Sequence, residues 1–173
     1  MKCQLSNPKS SIVRKLTLLR GAIACNQVFR PKDVAKFVFL CGANKPSGEI
    51  SERRRAILHF AQTNLPHTQF FLAEKIFPLL LKEGHKENIL DIENDISHFS
   101  DKILIVLESN SSFAELGAFS HKELRDKLIV VNDINYKTAS SFINLGPIKA
   151  IEETTGNDNI VYYNMKEDGI STL

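Results

Sequence analysis

Ile103-Leu104-Ile105-Val106-Leu107-Glu108-Ser109-Asn110-Ser111-Ser112-Phe113-Ala114-Glu115-Leu116-Gly117-Ala118-Phe119 is the stretch that decides the fold. Its first five residues are apolar and branched, too few for a typical helix. They read as a strand buried on both faces, as in a parallel sheet. The chain turns polar at Glu108 to Ser112 and reads as a helix from Phe113, with Phe113, Leu116, Gly117 and Ser120 on one side. A strand, a polar loop and a helix form the unit that builds ligand crevices outside the carboxyl ends of strands in open α/β sheets. Glu115, in the first turn of the expected helix, is thereby placed close to such a crevice.

Two readings of Glu115 compete. Ser112-Phe113-Ala114-Glu115 fits the capping pattern S-x-x-E, in which the Glu reaches back to the amide of the cap residue. The functional reading asks for an ionised carboxylate facing a ligand, and a helix N-terminus favours negative charge. Gly117 and Ala118 are small enough to let the helix approach the sheet closely.

On the N-terminal side, Phe37 to Cys41 is an uncharged first strand. It runs into Gly42-Ala43-Asn44-Lys45-Pro46-Ser47-Gly48, a loop of turn formers in which Gly42 would let backbone approach a ligand. Neither a Walker A loop nor G-x-G-x-x-G is present. A helix follows over Ser51 to Asn64, with Ile57, Phe60 and Ala61 inward. Arg53, Arg54 and Arg55 lie in its early turns. An arginine fork there suits phosphate oxygens, and an exposed basic turn is the competing reading. Thr68 to Leu72 reads as the second strand, followed by Glu74, which has Lys75 and Lys82 as ordinary salt-bridge partners. Lys82 to Asn88 reads as exposed. Ile89 to Phe99 is a helix with Ile89, Ile92, Ile96 and Phe99 as its apolar stripe. Glu93 borders that stripe, where a solvated helical acid is the bland alternative, and Asn94 faces away.

On the C-terminal side, Leu128 to Val131 reads as the fourth strand, ending in Asn132-Asp133. Asn144 falls on a short helix before Gly146-Pro147, where capping a turn would explain it. Ile160 to Tyr163 is the fifth strand, and the tail after Asn164 reads as frayed. Alternating strands and helices predict a parallel sheet covered on both faces. The expectation is a flavodoxin-like three-layer α/β sandwich with strand order 2-1-3-4-5 and right-handed crossovers.

The 173 residues suit one domain, expected over residues 34–173 and preceded by a helical extension over 1–33. In that extension Ser10 or Ser11 would cap a helix carrying Ile12, Leu16, Leu19 and Ile23. Arg14, Lys15 and Arg20 give it a basic side, either solvated or a dock for an anionic partner. Hydrophobic residues make up 43% and charged residues 24%, enough for a real core. No apolar stretch approaches the ~20 residues that span a bilayer, and the N-terminus lacks an apolar signal core, so no membrane partner is expected. A net charge of +2 neither predicts nor excludes nucleic acid. Cys3, Cys25 and Cys41 are odd in number and lack C-x-x-C spacing, so neither a disulfide framework nor a metal site is expected, and a reducing cytoplasm is the natural compartment.

Glu115-Leu116-Gly117-Ala118, after a strand and a polar loop, resembles the nucleoside 2-deoxyribosyltransferases, in which the Glu of an E-L-G-[YAF] run attacks the anomeric carbon. A fuller resemblance is to the deoxyribosyltransferase-like effectors of bacterial retrons. Phe39-Leu40-Cys41-Gly42, Ile92-Glu93-Asn94, the run Glu108 to Ser120 and Ser141 to Pro147 carry it, in order, over residues 37–150.

The resemblance implies an N-glycosidase with Glu115 as nucleophile, a nucleotide as substrate, NAD foremost, no cofactor, and a toxin's role in phage defence. It implies substrate contacts from Cys41, Gly42 and Ala43, from Arg55 and Glu74, from Glu93 and Asn94, and from Glu108, Ser109, Ser112 and Phe113. It implies that Asn144 completes a neighbouring subunit's site, hence a homo-oligomer or larger complex. The implied partners are a retron reverse transcriptase and its branched RNA–DNA. Deoxyribosyltransferases place an Asp in the loop before the nucleophile. Glu108-Ser109 stands there instead, which counts against ordinary base exchange and agrees with the retron effectors. Two alternatives stand beside the glycosidase: a non-catalytic nucleotide-binding module that assembles with the other retron components, and a base-exchanging transferase. Longer retron effectors carry a winged-helix region after this domain, for which these residues leave no room, and this weakens the expectation of direct DNA contact without deciding it.

Overall fold

Branched and aromatic segments pair into one five-stranded sheet, every neighbour parallel, in the order β2-β1-β3-β4-β5. A computed structural model describes residues 35–84 and 88–168. The strands are β1 (Lys36–Cys41), β2 (Thr68–Phe71), β3 (Lys102–Val106), β4 (Leu128–Asp133) and β5 (Ile160–Tyr163). The helices are α1 (Glu52–Asn64), α2 (Ala73–Lys82), α3 (Ile89–Phe99), α4 (Asn110–Phe119) and α5 (Lys149–Thr155). The architecture is α/β, with the strand order that the pattern predicts. The expected N-terminal helix, with Arg14, Lys15 and Arg20, lies outside the described residues.

Side chains alternate along a strand, and the register turns that alternation into rows. Phe39, Ile103 and Leu128 lie side by side across three strands, and Cys41, Ile105, Val130 and Ile160 across four. All of them are buried. Leu80 of α2, Ile92 and Ile96 of α3, Leu116 and Phe119 of α4, and Ile151 of α5 close over this face. Each such side chain removed from water contributes roughly 1.5–3 kcal/mol. The opposite face is covered less evenly than the expectation of two buried faces requires. Leu40 and Val106 are buried there, Leu104, Ile129 and Val131 are half-buried, and Val161 on the edge strand is 45% exposed.

Helix α2 fills Ala73–Lys82, where no helix is expected from the sequence. Pro78 sits inside it, a residue that normally disfavours a helix interior by about 3 kcal/mol. Ala73 and Leu80 lock the helix into the core instead, so packing overrides propensity. The inward side of α1 also differs. Ala61 is buried, but Phe60 is 60% exposed, and the other buried residues of the helix are Arg53 and Arg54. The tail after Asn164 is not frayed through Asp168: Met165 is buried, and Asp168 is ion-paired. Among the described residues no helix is long and apolar enough to cross a membrane.

Candidate active site

The carboxyl ends of β1 and β3 lie side by side, with Cys41 opposite Ile105, and the loops that leave them are joined where the Glu108 carboxylate accepts from the Ala43 amide. Helix α4 starts three residues earlier than expected. Ser109 is its N-cap, and its hydroxyl accepts from the Ser112 amide at 3.3 Å. Ser112 returns the bond by accepting from the Ser109 amide at 3.1 Å. The capping box therefore belongs to Ser109 and Ser112, and Glu115 lies a turn further on, without a capping task. Gly117 and Ala118 are exposed rather than turned to the sheet, while Phe113 packs half-buried against the core.

Glu115 is partly buried, and its Oε2 is shielded from solvent without a hydrogen-bond partner. Burial pushes its pKa up to about 8, and the charges of Glu93 and Glu74 add to the rise while Arg54 opposes it. This corrects the expectation that the helix terminus keeps Glu115 ionised, since the dipole acts mainly over the first turn. Glu93 is 9% exposed and its pKa is raised as well, by burial and then by Glu74. It is not a solvated helical acid. Asn94 faces away, lining a groove with His98, Ala118 and His121.

Arg54 is the positive charge of this cluster and is 2% exposed. Its Nη2 donates to Leu40 O at 2.9 Å and to Glu74 Oε2 at 3.2 Å. Its Nη1 donates to Asn44 Oδ1 at 2.9 Å and to Ala43 O at 3.3 Å. Nη1 also lies 2.8 Å from Glu74 Oε1, but that oxygen is not aligned to accept a hydrogen bond. Glu74 thus pairs with Arg54, not with Lys75 or Lys82. Gly42, at φ 153°, supplies the room: a Cβ there would sit 2.9 Å from Arg54 Cδ. The space expected for a ligand beside Gly42 holds this arginine.

Cys41 is buried among these groups, and burial, then Glu115 and Glu93, push its thiol pKa up. A thiol so placed packs and does not attack. Arg55 is on the outer side, 49% exposed and paired with Glu49 and Glu52 at 3.2 Å. The inward arginines are Arg53 and Arg54, whereas the resemblance singled out Arg55. A signal was present, because Arg54 stands seven residues before the buried Ala61, on the same helix face.

Glu108 has a side chain 2% exposed and bonded at both oxygens. Oε2 meets Arg53 Nη1 at 3.0 Å, while Oε1 accepts from Ser51 Oγ and from the Ala43 amide at 3.3 Å. Glu108 thus ties the β1–α1 loop to the start of α4, where its amide donates to Ser112 Oγ. Asn144 opens a π-helical turn leading into α5. Its Nδ2 donates to Tyr136 O at 2.7 Å and Ala139 O at 2.8 Å, while its buried Oδ1 has no hydrogen-bond partner. It ties down the loop after β4 and does not cap the turn at Gly146-Pro147.

The fold and these side chains define an α/β domain in which Glu74, Glu93 and Glu115 cluster about the buried Arg54 beside the end of β1. Residues 50–173 match the family model described as STM3845 retron effector protein. The chain belongs to this retron effector family. It is 45% identical over 177 residues to an Escherichia coli protein named "Retron Ec73 putative ribosyltransferase/DNA-binding protein", covering 100% of this chain and 56% of that one. It is 32% identical over 136 residues to the Escherichia coli "Retron Ec86 putative ribosyltransferase/DNA-binding protein", covering 78% of this chain and 43% of that one. The chain thus spans about half the length of the curated relatives it matches.

Proposed function

We propose that this retron effector is an N-glycosidase that cleaves the glycosidic bond of a nucleotide, with NAD as the favoured substrate and Glu115 as the nucleophile. The observation that carries this reading is the Glu115 carboxyl in the second turn of α4, shielded at Oε2 without a hydrogen-bond partner. The deprotonated carboxylate attacks the anomeric carbon as the carbon–nitrogen bond breaks. The bonding pair leaves with the base. Nicotinamide in NAD is cationic, so it departs neutral without needing a proton. Water then attacks the same carbon, expels the Glu115 carboxylate and releases its proton. The products are nicotinamide, ADP-ribose and a proton.

A cationic substrate suits this cluster. Glu74, Glu93 and Glu115 face a single buried guanidinium, Arg54, and a positive ring brought beside Glu115 draws it toward the carboxylate form. The relatives' names, "putative ribosyltransferase", agree with chemistry at an anomeric carbon. The test is incubation of the pure protein with NAD, deoxynucleosides and deoxynucleotides, followed by chromatography. Release of free base that Glu115→Gln abolishes supports the reading. Base release only in the presence of an acceptor base selects the exchanging transferase, and no release from any of them overturns the glycosidase.

A second reading has its own observation. The relatives' names also say DNA-binding, and this chain spans about half of them. A nucleotide-binding module that assembles with the retron reverse transcriptase and its branched RNA–DNA accounts for that. Ile134, Tyr136, Phe142 and Leu145 are exposed around the loop that Asn144 organises, Phe142 by 80%. Such a patch supports assembly with a second copy or another component. We place the protein in the cytoplasm as a toxin of phage defence.

A further inference from the structure

Arg53 stands where three segments meet. Its Nε donates to Asp168 Oδ2 at 2.7 Å, and its Nη2 to Asp168 Oδ1 at 3.2 Å and Met165 O at 2.9 Å. Its Nη1 donates to Glu108 Oε2 at 3.0 Å. Glu108 carries the connection onward through Oε1 to the Ala43 amide and the Ser51 hydroxyl. The amide of Glu108 donates to Ser112 Oγ at 3.2 Å, inside the α4 cap. Tyr163 OH braces the far end by donating to Asp168 Oδ2 at 3.0 Å. One chain of charge-assisted bonds thus runs from the turn after β5 to the β1–α1 loop and the start of α4. Its side chains are secluded, with Arg53 at 4%, Glu108 at 2% and Asp168 at 16% exposure. Burial alone works against the Arg53 charge, and the hydrogen bonds to Asp168 and Glu108 overcome it.

A buried ion network of this kind adds little net stability over apolar packing of the same volume. Its effect is geometric, because charge-assisted and bidentate bonds fix distance and direction. We propose that the turn after β5, acting through Asp168, Arg53 and Glu108, holds the β1–α1 loop and the loop into α4 in the arrangement that Glu115 requires. Asp168 and Arg53 are positioning residues of the site, although Asp168 lies 115 residues from Arg53 in the chain. The consequence for turnover rests on the glycosidase reading, whereas the consequence for loop order does not.

The experiment uses the full chain with Asp168→Ala and, as the conservative variant, Asp168→Glu. Backbone hydrogen exchange reads the amides of Ala43, Glu108 and Ser109 against those of Leu104 to Val106 in β3. Asp168→Ala should speed exchange at Ala43 and Glu108 by about tenfold, the scale of one lost charge-assisted bond, and leave β3 unchanged. Asp168→Glu should restore most of the protection. Base release should lose kcat by a similar factor with KM nearly constant. Unchanged exchange at Ala43 and Glu108 overturns the proposal. Equal acceleration throughout β3 also overturns it, as the sign of a merely structural role. If the parental protein releases no base, the glycosidase reading fails, and the exchange pattern still decides whether the turn orders the loops.

Discussion

Ser109 and Ser112 cap each other, amide to hydroxyl in both directions, at 3.1 and 3.3 Å. That reciprocity starts α4 without help from Glu115, so under the proposed mechanism the capping residues and the nucleophile are different residues. Ser112→Ala removes an acceptor for the amides of both Ser109 and Glu108. It should lower stability by about 0.5–2 kcal/mol while leaving much of the base release. Chemical denaturation and a chromatographic rate on the same preparation check both halves. Loss of activity without loss of stability would place Ser112 in the chemistry instead.

Glu115→Gln makes the reverse forecast. The amide keeps the size of the side chain and removes a carboxyl that burial and Glu93 disfavour as a charge. Melting temperature should hold or rise at neutral pH, and base release should disappear, since an amide neither attacks nor stabilises a positive anomeric centre. A variant that still cleaves at the parental rate ends the nucleophile assignment.

The neighbouring arginines should behave differently under the same substitution. Arg54→Ala leaves the Glu74 carboxylate and the Leu40 and Ala43 carbonyls without their buried donor. Removing one partner of a buried pair costs about 3–5 kcal/mol. Arg55→Ala breaks only exposed pairs with Glu49 and Glu52, and should stay within about 0.5 kcal/mol of the parent. Urea unfolding of both variants settles the contrast. Equal effects would refute the inward placement of Arg54.

What the sequence made legible follows from how local each signal is. Ile103 to Leu107 announces a buried strand because branched residues recur without a charge, and the parallel order follows from alternation with helices. The start of α4 was misplaced because Ser109, Ser111 and Ser112 all suit a cap, and only geometry chooses among them. The inward side of α1 was misread because Arg53 and Arg54 are buried by partners far away in sequence, Glu108 at 55 residues and Glu74 at 20. Local periodicity puts Arg54 on the Ala61 face but carries no record of the partners that let an arginine be buried there. Pro78 hid α2 for the complementary reason, since the packing of Ala73 and Leu80 that sustains the helix is tertiary. The sequence drew attention to Glu115 and Glu93, which share one acidic cluster, but the pairing of Arg53 with Glu108 and Asp168 was not legible.

The pH dependence of Glu115 gives the remaining test. Its folded pKa is about 8 against an ordinary 4.5, so the folded state holds a proton that the unfolded chain has released between those values. Stability must then fall as pH rises across that window and level off above it. The contribution is fully present below about 4.5 and is lost by the time pH passes about 8. Glu115→Gln should flatten this part of the stability profile, gaining on the parent most clearly above pH 8. Turnover should move the other way. Attack requires the carboxylate, so kcat/KM for base release should climb with pH through an apparent pKa near 8 in the free protein. The charge of Glu93 contributes to the rise. Glu93→Gln should therefore shift the midpoint of the rate profile to lower pH, even where it also lowers the maximum rate. Denaturation midpoints at stepped pH, with matching rate profiles, measure both trends. A parental kcat/KM that is flat from pH 5 to 9, with stability unchanged by Glu115→Gln across the same range, would contradict a proton held on Glu115.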